Sequence, residues 1–194
     1  MLGLLTPTDP HWVDAVEGNL DGLLDDHSHC ELKAAQSALA LLGRWGGTYP
    51  ALVAPLLALA HEEAEHFAEV RAHADARGGR LSSPAADTYV LALREATKDG
   101  ASDRPKLLDR LLVCALIEAR SCERFKLLSE RLSSAELRGF YRELMTSEAR
   151  HYRLYGDLAE QCFGVEDTRA RLKELAMREG AIAHKLPLGP TVHG

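Results

Sequence analysis

The sequence predicts an all-α protein: a four-helix bundle of two helical hairpins joined by a long crossover, followed by a C-terminal helix. Three observations predict it. Apolar residues recur at alternating steps of three and four along four long segments. Glycine and proline fall between those segments. Nothing alternates with the two-residue period of a strand over a useful length. With 194 residues, 46% of them hydrophobic, the chain can bury one sizeable core, so residues 1–194 are read as a single domain.

The elements follow in order. Pro7 and Pro10 precede a periodic segment from about His11 to Trp45. The run from Gly43 to Pro50 is a turn, and a second segment extends to about Arg77, where Gly78-Gly79 supplies a helix stop. Residues 78–104 form the crossover, with a short helix near Ala85–Thr97 and a turn from Asp99 to Pro105. A third long segment runs from Pro105 to Arg131, with proline in its first turn. Ser133 or Ser134 caps a fourth, from Ala135 to Cys162, which Gly164 ends. A shorter helix near Asp167–Glu179 and an irregular tail from Leu186 to Gly194 complete the chain. Bundles with one long crossover are the ferritin-like arrangement, which builds metal sites from facing helices.

Composition narrows the function. The net charge of −6 means that any nucleic-acid contact needs a local basic patch. The four cysteines Cys30, Cys114, Cys122 and Cys162 form no CxxC pair, which argues against a zinc or rubredoxin-like site. There is no signal-peptide pattern at the start and no apolar run long enough to span a membrane. A reducing cytoplasm with free thiols is the expected setting.

The informative feature is the inward stripe of each long helix. The first reads Leu20, Leu24, His27, Glu31, Ala34, Ala38, Leu41, and the second Leu52, Leu56, Leu59, Glu63, His66, Val70. The third reads Leu107, Leu111, Cys114, Glu118, Cys122, Phe125, and the fourth Leu137, Tyr141, Leu144, Glu148, His151, Tyr155, Leu158. Each is apolar except for a glutamate near its middle, and the second and fourth add a histidine three residues on, which lies on the same helix face. Glu-x-x-His alone is weak evidence: with nine histidines and seventeen glutamates, about one such pair arises by chance. The register is stronger evidence, because both pairs sit on inward stripes and each follows a helix with one inward glutamate. Glu31 and Glu63 are 32 residues apart, and Glu118 and Glu148 are 30 apart.

Four unpaired carboxylates at one level of a core are too costly to keep ionised. Two divalent cations neutralise them, and the two imidazoles complete the set. Two single glutamates with two Glu-x-x-His pairs are the pattern of carboxylate-bridged dimetal bundles. The candidate ligands are therefore Glu31, Glu63, His66, Glu118, Glu148 and His151. This donor set suits iron or manganese better than zinc. Iron with an open face activates O2, and with no flavin or nicotinamide fingerprint and no cysteine cluster the electrons come from an external donor.

Four segments carry a more specific likeness: 26–35 (DHSHCELKAA), 61–70 (HEEAEHFAEV), 116–125 (LIEARSCERF) and 147–152 (SEARHY). They closely resemble the bacterial tRNA hydroxylase family called MiaE, as do Leu5-Thr-Pro-Thr and the Arg77-Gly78 that closes the second helix. The resemblance covers nearly the whole chain. It implies a non-haem di-iron monooxygenase that hydroxylates the isopentenyl group of 2-methylthio-N6-isopentenyladenosine at tRNA position 37. One atom of O2 enters the terminal allylic carbon and the other leaves as water. The family's metal ligands fall on the same six residues, with Glu63 and Glu148 in the bridging pattern. The implied partners are tRNA, through its anticodon loop, and an electron-transfer reductase. The tail departs from the family, which ends close to His-Ser-Gly where this chain has Thr191-Val-His-Gly194.

Two other readings stay open at this point: an iron-storage or detoxification protein, and another dimetal enzyme such as a peroxidase, a catalase or a small-molecule hydroxylase. Cys114 and Cys122 are expected to be small core fillers, Tyr141 and Tyr155 packing residues, and His27 a hydrogen-bonded neighbour of the ligands or a surface residue. Candidate basic clusters are Arg71, Arg77 and Arg80; Arg94 and Lys98; Arg104, Lys106 and Arg110; Arg150 and Arg153; and Arg169, Arg171, Lys173 and Arg178.

Overall fold

The computed structural model describes residues 2–98 and 105–193. The expected turn at 99–104 with Arg104, and the last residue Gly194, lie outside the described residues. Among the described residues there are seven α-helices and no strand. They are α1 (Trp12–Glu17), α2 (Leu20–Trp45), α3 (Val53–Ala76), α4 (Thr88–Ala96), α5 (Lys106–Arg131), α6 (Ala135–Phe163) and α7 (Val165–Ala183), with a 3-10 turn at Pro50–Leu52 before α3.

The first long segment differs most from the sequence reading. It is two helices, because Gly18-Asn19 interrupts it. The Asn19 amide closes α1 on the Val16 carbonyl at 2.9 Å, and its Oδ1 accepts from the Gly22 amide at 3.0 Å, which caps α2. The other caps fall where turn chemistry put them. Asp87 Oδ1 accepts from the Val90 amide at 2.9 Å to start α4, and Ser134 rather than Ser133 caps α6. Gly164 has φ +87°, a conformation that costs glycine nothing, and there α6 ends and α7 begins. The C-terminal helix is four residues longer at its end than expected, reaching Ala183.

The chain divides into two compact units. One comprises residues 15–86 and 189–192, and in it α2 and α3 pair as a helical hairpin. The other comprises residues 1–14, 87–188 and 193–194, and in it α5 and α6 pair as a second hairpin. Within this second unit α7 packs on α4, α5 and α6. Tyr89, Leu93 and Val113 form a buried cluster there, covered by Val90, Ile117, Ile182 and Leu186. The four inward stripes are buried throughout, apart from the half-buried Leu20 and Ala34. No helix of the described residues is long and apolar enough to cross a membrane.

Candidate metal centre

Each unit carries three of the six candidate ligands, and in each a helix with one inward glutamate faces a helix with a Glu-x-x-His pair. All six side chains are buried.

In the α2–α3 hairpin, Glu31, Glu63 and His66 each bring a ligand atom within 4.8 Å of the others. His66 Nδ1 lies 3.3 Å from Glu63 Oε2 and 3.7 Å from Glu31 Oε2. His27, one turn before Glu31, is fully buried, and its Nε2 lies 2.6 Å from Glu31 Oε1. It therefore holds the carboxylate from behind, the usual role of a hydrogen-bonded residue beside a metal ligand. Burial works against the Glu31 charge, but His27 and His66 outweigh it and hold the carboxyl well below its usual range. Burial would likewise lower His66, yet Glu31 and Glu63 raise it to about 10. The pocket thus favours positive charge at the imidazole, as a cation site must.

In the α5–α6 hairpin, Glu118 and His151 bring ligand atoms within 4.8 Å of each other, and Glu148 sits one turn before His151 on the same helix. Cys114 and Cys122 lie one turn on either side of Glu118 and are buried. Burial, then the Glu123 charge, push the Cys122 thiol up to about 11, so it stays neutral and fills space. Phe125 and Phe140 pack on Tyr141, with centroids 5.2 Å apart in each pair. All four cysteines are free. Buried clusters of glutamate and histidine of this kind are those of a carboxylate-rich dimetal site.

With the geometry in place, comparison with known proteins decides the family. The family description tRNA-(MS[2]IO[6]A)-hydroxylase (MiaE) matches residues 2–194. The chain belongs to the MiaE family. Its 169-residue alignment with the tRNA 2-(methylsulfanyl)-N(6)-isopentenyladenosine(37) hydroxylase of Pseudomonas putida is 41% identical, covering 87% of this chain and 80% of that protein. The Salmonella typhimurium protein of the same name is 32% identical over 215 aligned residues, covering 86% of this chain and 78% of that protein. Among solved structures, a Synechococcus protein described as having aldehyde deformylating oxygenase activity matches with a TM-score of 0.90 at 38% identity, covering 98% and 95% of the two chains. The fold of this MiaE-family chain is therefore ferritin-like.

The same unit holds a second buried polar cluster that the stripes did not reveal, on the other face of α5. Arg120, fully buried, donates from Nε and Nη2 to Glu179 Oε1 at 2.9 and 2.7 Å, and from Nη1 to Glu123 Oε2 at 2.5 Å. Its Nη2 also reaches the Thr6 carbonyl at 2.9 Å. Thr8 donates from its amide and its hydroxyl to Glu123, at 2.8 and 2.6 Å. The N-terminal segment is thereby tied to α5 and α7. At the crossing, a Cβ on Gly180 would come within 2.6 Å of Thr6 Oγ1, so any larger residue there forces Thr6 to shift. Burial opposes the Arg120 charge, but Glu179, Tyr89 and Glu123 more than offset it. Arg124, one turn on, stacks over Trp12 at 4.8 Å, and burial, then Arg120, pull it down to about 10.

The tail is irregular, as expected, and it is also anchored. His193 is buried, and its Nε2 lies 3.1 Å from Ser121 Oγ and its Nδ1 3.1 Å from Asp87 Oδ2. Its ring stacks on Tyr89 at 5.2 Å and 21°. Burial, then the Glu179 charge, push the Tyr89 phenol well up, so it remains a donor to Glu179 Oε1 at 3.0 Å. His193→Ala loses the stack and both hydrogen bonds. The expected cost is about 1–3 kcal/mol of stability, read from the urea midpoint, and an unchanged midpoint would show that the tail is not anchored.

Proposed function

We propose that the chain hydroxylates the isopentenyl group of 2-methylthio-N6-isopentenyladenosine at tRNA position 37, using a carboxylate-bridged di-iron centre held by Glu31, Glu63, His66, Glu118, Glu148 and His151. The observation that carries the reading is the repeated half-set. Each hairpin buries one glutamate opposite a Glu-x-x-His pair, in a chain that the family description matches from residue 2 to residue 194. Four carboxylates carry −4, two divalent irons carry +4, and neutral imidazoles add nothing, so the donor set fits two ions. The reading of residues 1–194 as one functional domain is supported by the family description, which matches residues 2–194.

When bound, the metal pair supplies activation of O2. The chain's own residues do the rest. The six buried ligands keep bulk water from the centre, which protects a reactive oxidant from side reactions. His27 fixes the orientation of Glu31. The reaction balances as one C–H bond, O2, two electrons and two protons giving one C–O–H group and one water. An external donor, an electron-transfer reductase, supplies the electrons, and the cytoplasm supplies the tRNA. Membership of the MiaE family removes the ground for the iron-storage, peroxidase and catalase readings.

The test is nucleoside analysis of tRNA that bears the hypomodified base, after incubation with iron-loaded protein, a reductant and air. The expected result is conversion to the hydroxylated nucleoside by the native chain and none by His151→Ala. If the base persists while the iron is repeatedly oxidised and reduced, the substrate assignment fails.

A further inference from the structure

Resting on that reading and extending it, we infer that the outward face of α6, with the adjoining edge of α5, docks the phosphate backbone of the tRNA anticodon arm. A groove of roughly 710 Å³ opens between the two helices, lined by Lys126, Ser129 and Glu130 of α5 and by Arg138, Arg142 and Met145 of α6. It sets three cations against one acid in a chain whose net charge is −6, so the local field is opposite in sign to the bulk. Its single carboxylate lies 3.9 Å from Lys126. Arg138 is fixed at the helix turn by donating from Nη1 to the Leu132 and Ser133 carbonyls.

The cationic face continues beyond the groove. Arg142, Arg150 and Arg153 are exposed. Arg142 and Arg153 are eleven residues apart, which on a helix is about 20° of rotation and about 16 Å of length. They form a straight ladder along one side, with Arg138 about 40° away from Arg142. Between Arg138 and Arg153 the acids on α6 are Glu143 and the inward Glu148. Among the described residues no carboxylate pairs with Arg142 or Arg153. Several cations of the other basic clusters are instead used within the fold: Arg71 on Asp75, Arg77 on Asp21, Lys98 on Glu95, Arg169 on Glu160 and Arg171 on Asp109. Two exposed guanidinium groups on one side of the helix, neither on a carboxylate, suit phosphate oxygens, which arginine binds through two parallel hydrogen bonds.

The same helix carries Glu148 and His151. RNA anchored along α6 is therefore held in fixed register with two of the candidate metal ligands, and phosphate contacts set that register without reading sequence.

The test measures tRNA affinity against salt concentration for the native chain, for an Arg142→Glu/Arg153→Glu variant, and for Lys173→Glu on the exposed side of α7 as a control carrying half that change in net charge. The double variant is expected to bind tRNA about tenfold more weakly or worse, with the salt slope reduced by about two. Its KM for tRNA rises and its iron content stays native. Lys173→Glu is expected to match the native affinity. Unchanged affinity and slope in the double variant overturn the assignment while leaving the hydroxylase reading intact. Unchanged affinity with slower turnover at saturating tRNA also overturns it, and gives the face to an acidic electron donor. Failure of the native chain to bind tRNA overturns both.

Discussion

Replacing Glu63 and Glu148 together by alanine is expected to reduce bound iron from about two ions per chain to near none, with the helical circular dichroism retained. The two residues occupy equivalent places, one in each hairpin, each buried one turn before a histidine. Removing them takes away two of the four candidate carboxylate ligands, and with them half of the negative charge that would neutralise two divalent ions. The remaining carboxylates, Glu31 and Glu118, carry −2, which is half of what two divalent ions need. The helices do not depend on these carboxylates, because Leu56, Leu59 and Val70 on α3, and Leu144, Tyr155 and Leu158 on α6, keep the inward stripes apolar. Metal analysis after desalting reads the effect. Full loading of the double variant would contradict the ligand assignment.

Arg120→Ala is expected to cost about 3–5 kcal/mol of folding stability. That is a large share of the roughly 5–15 kcal/mol a domain of this kind has in total. The guanidinium is fully buried and holds Glu179 at 2.7 Å, a carboxylate that is itself fully buried. Truncation leaves that carboxylate with the Tyr89 hydroxyl but without its cation, and also releases Glu123 and the Thr6 carbonyl. Arg120→Lys should recover little, because an ammonium cannot present the planar fork that contacts Glu179, Glu123 and Thr6 at once. Replacing Arg120, Glu123 and Glu179 together by apolar residues should cost much less than Arg120→Ala, because no buried charge is left unpaired. Urea unfolding measures all three variants. A shift below about 1 kcal/mol for Arg120→Ala would show that the network is not under the burial the geometry indicates.

The contrast between the two buried clusters explains what could be read from the sequence. The candidate metal centre was legible because each glutamate breaks an apolar stripe with a regular period, and because the break recurs in each hairpin. The Arg120 network follows no such rule. Arg120, Ser121, Glu123 and Arg124 are buried, yet in sequence they look like the solvated side of an amphipathic helix. Their partners are remote: Thr8 lies 115 residues from Glu123, and Glu179 lies 59 residues from Arg120. Local pattern carries no information on such pairs. The only trace was that 116–125 and Leu5-Thr-Pro-Thr both belonged to the segments resembling the family, without a role for their polar residues. The break between α1 and α2 was missed for the opposite reason. Gly18-Asn19 is a local signal, but the apolar period on either side masks it. The tail looked irregular and is irregular, but burial of Val192 and His193 depends on acceptors at Asp26 and Asp87 that no tail sequence specifies.

If these six residues hold an iron pair that activates O2, the oxygen added to the prenyl group of tRNA comes from O2. The most direct test is a turnover of the hypomodified tRNA under isotopically labelled O2 in unlabelled water, followed by mass analysis of the released nucleoside. The account predicts a hydroxylated nucleoside carrying one labelled oxygen in the isopentenyl group, formed by the native chain and absent with the Glu63→Ala/Glu148→Ala variant. A product whose oxygen comes from water, or equal product from the variant, would contradict it.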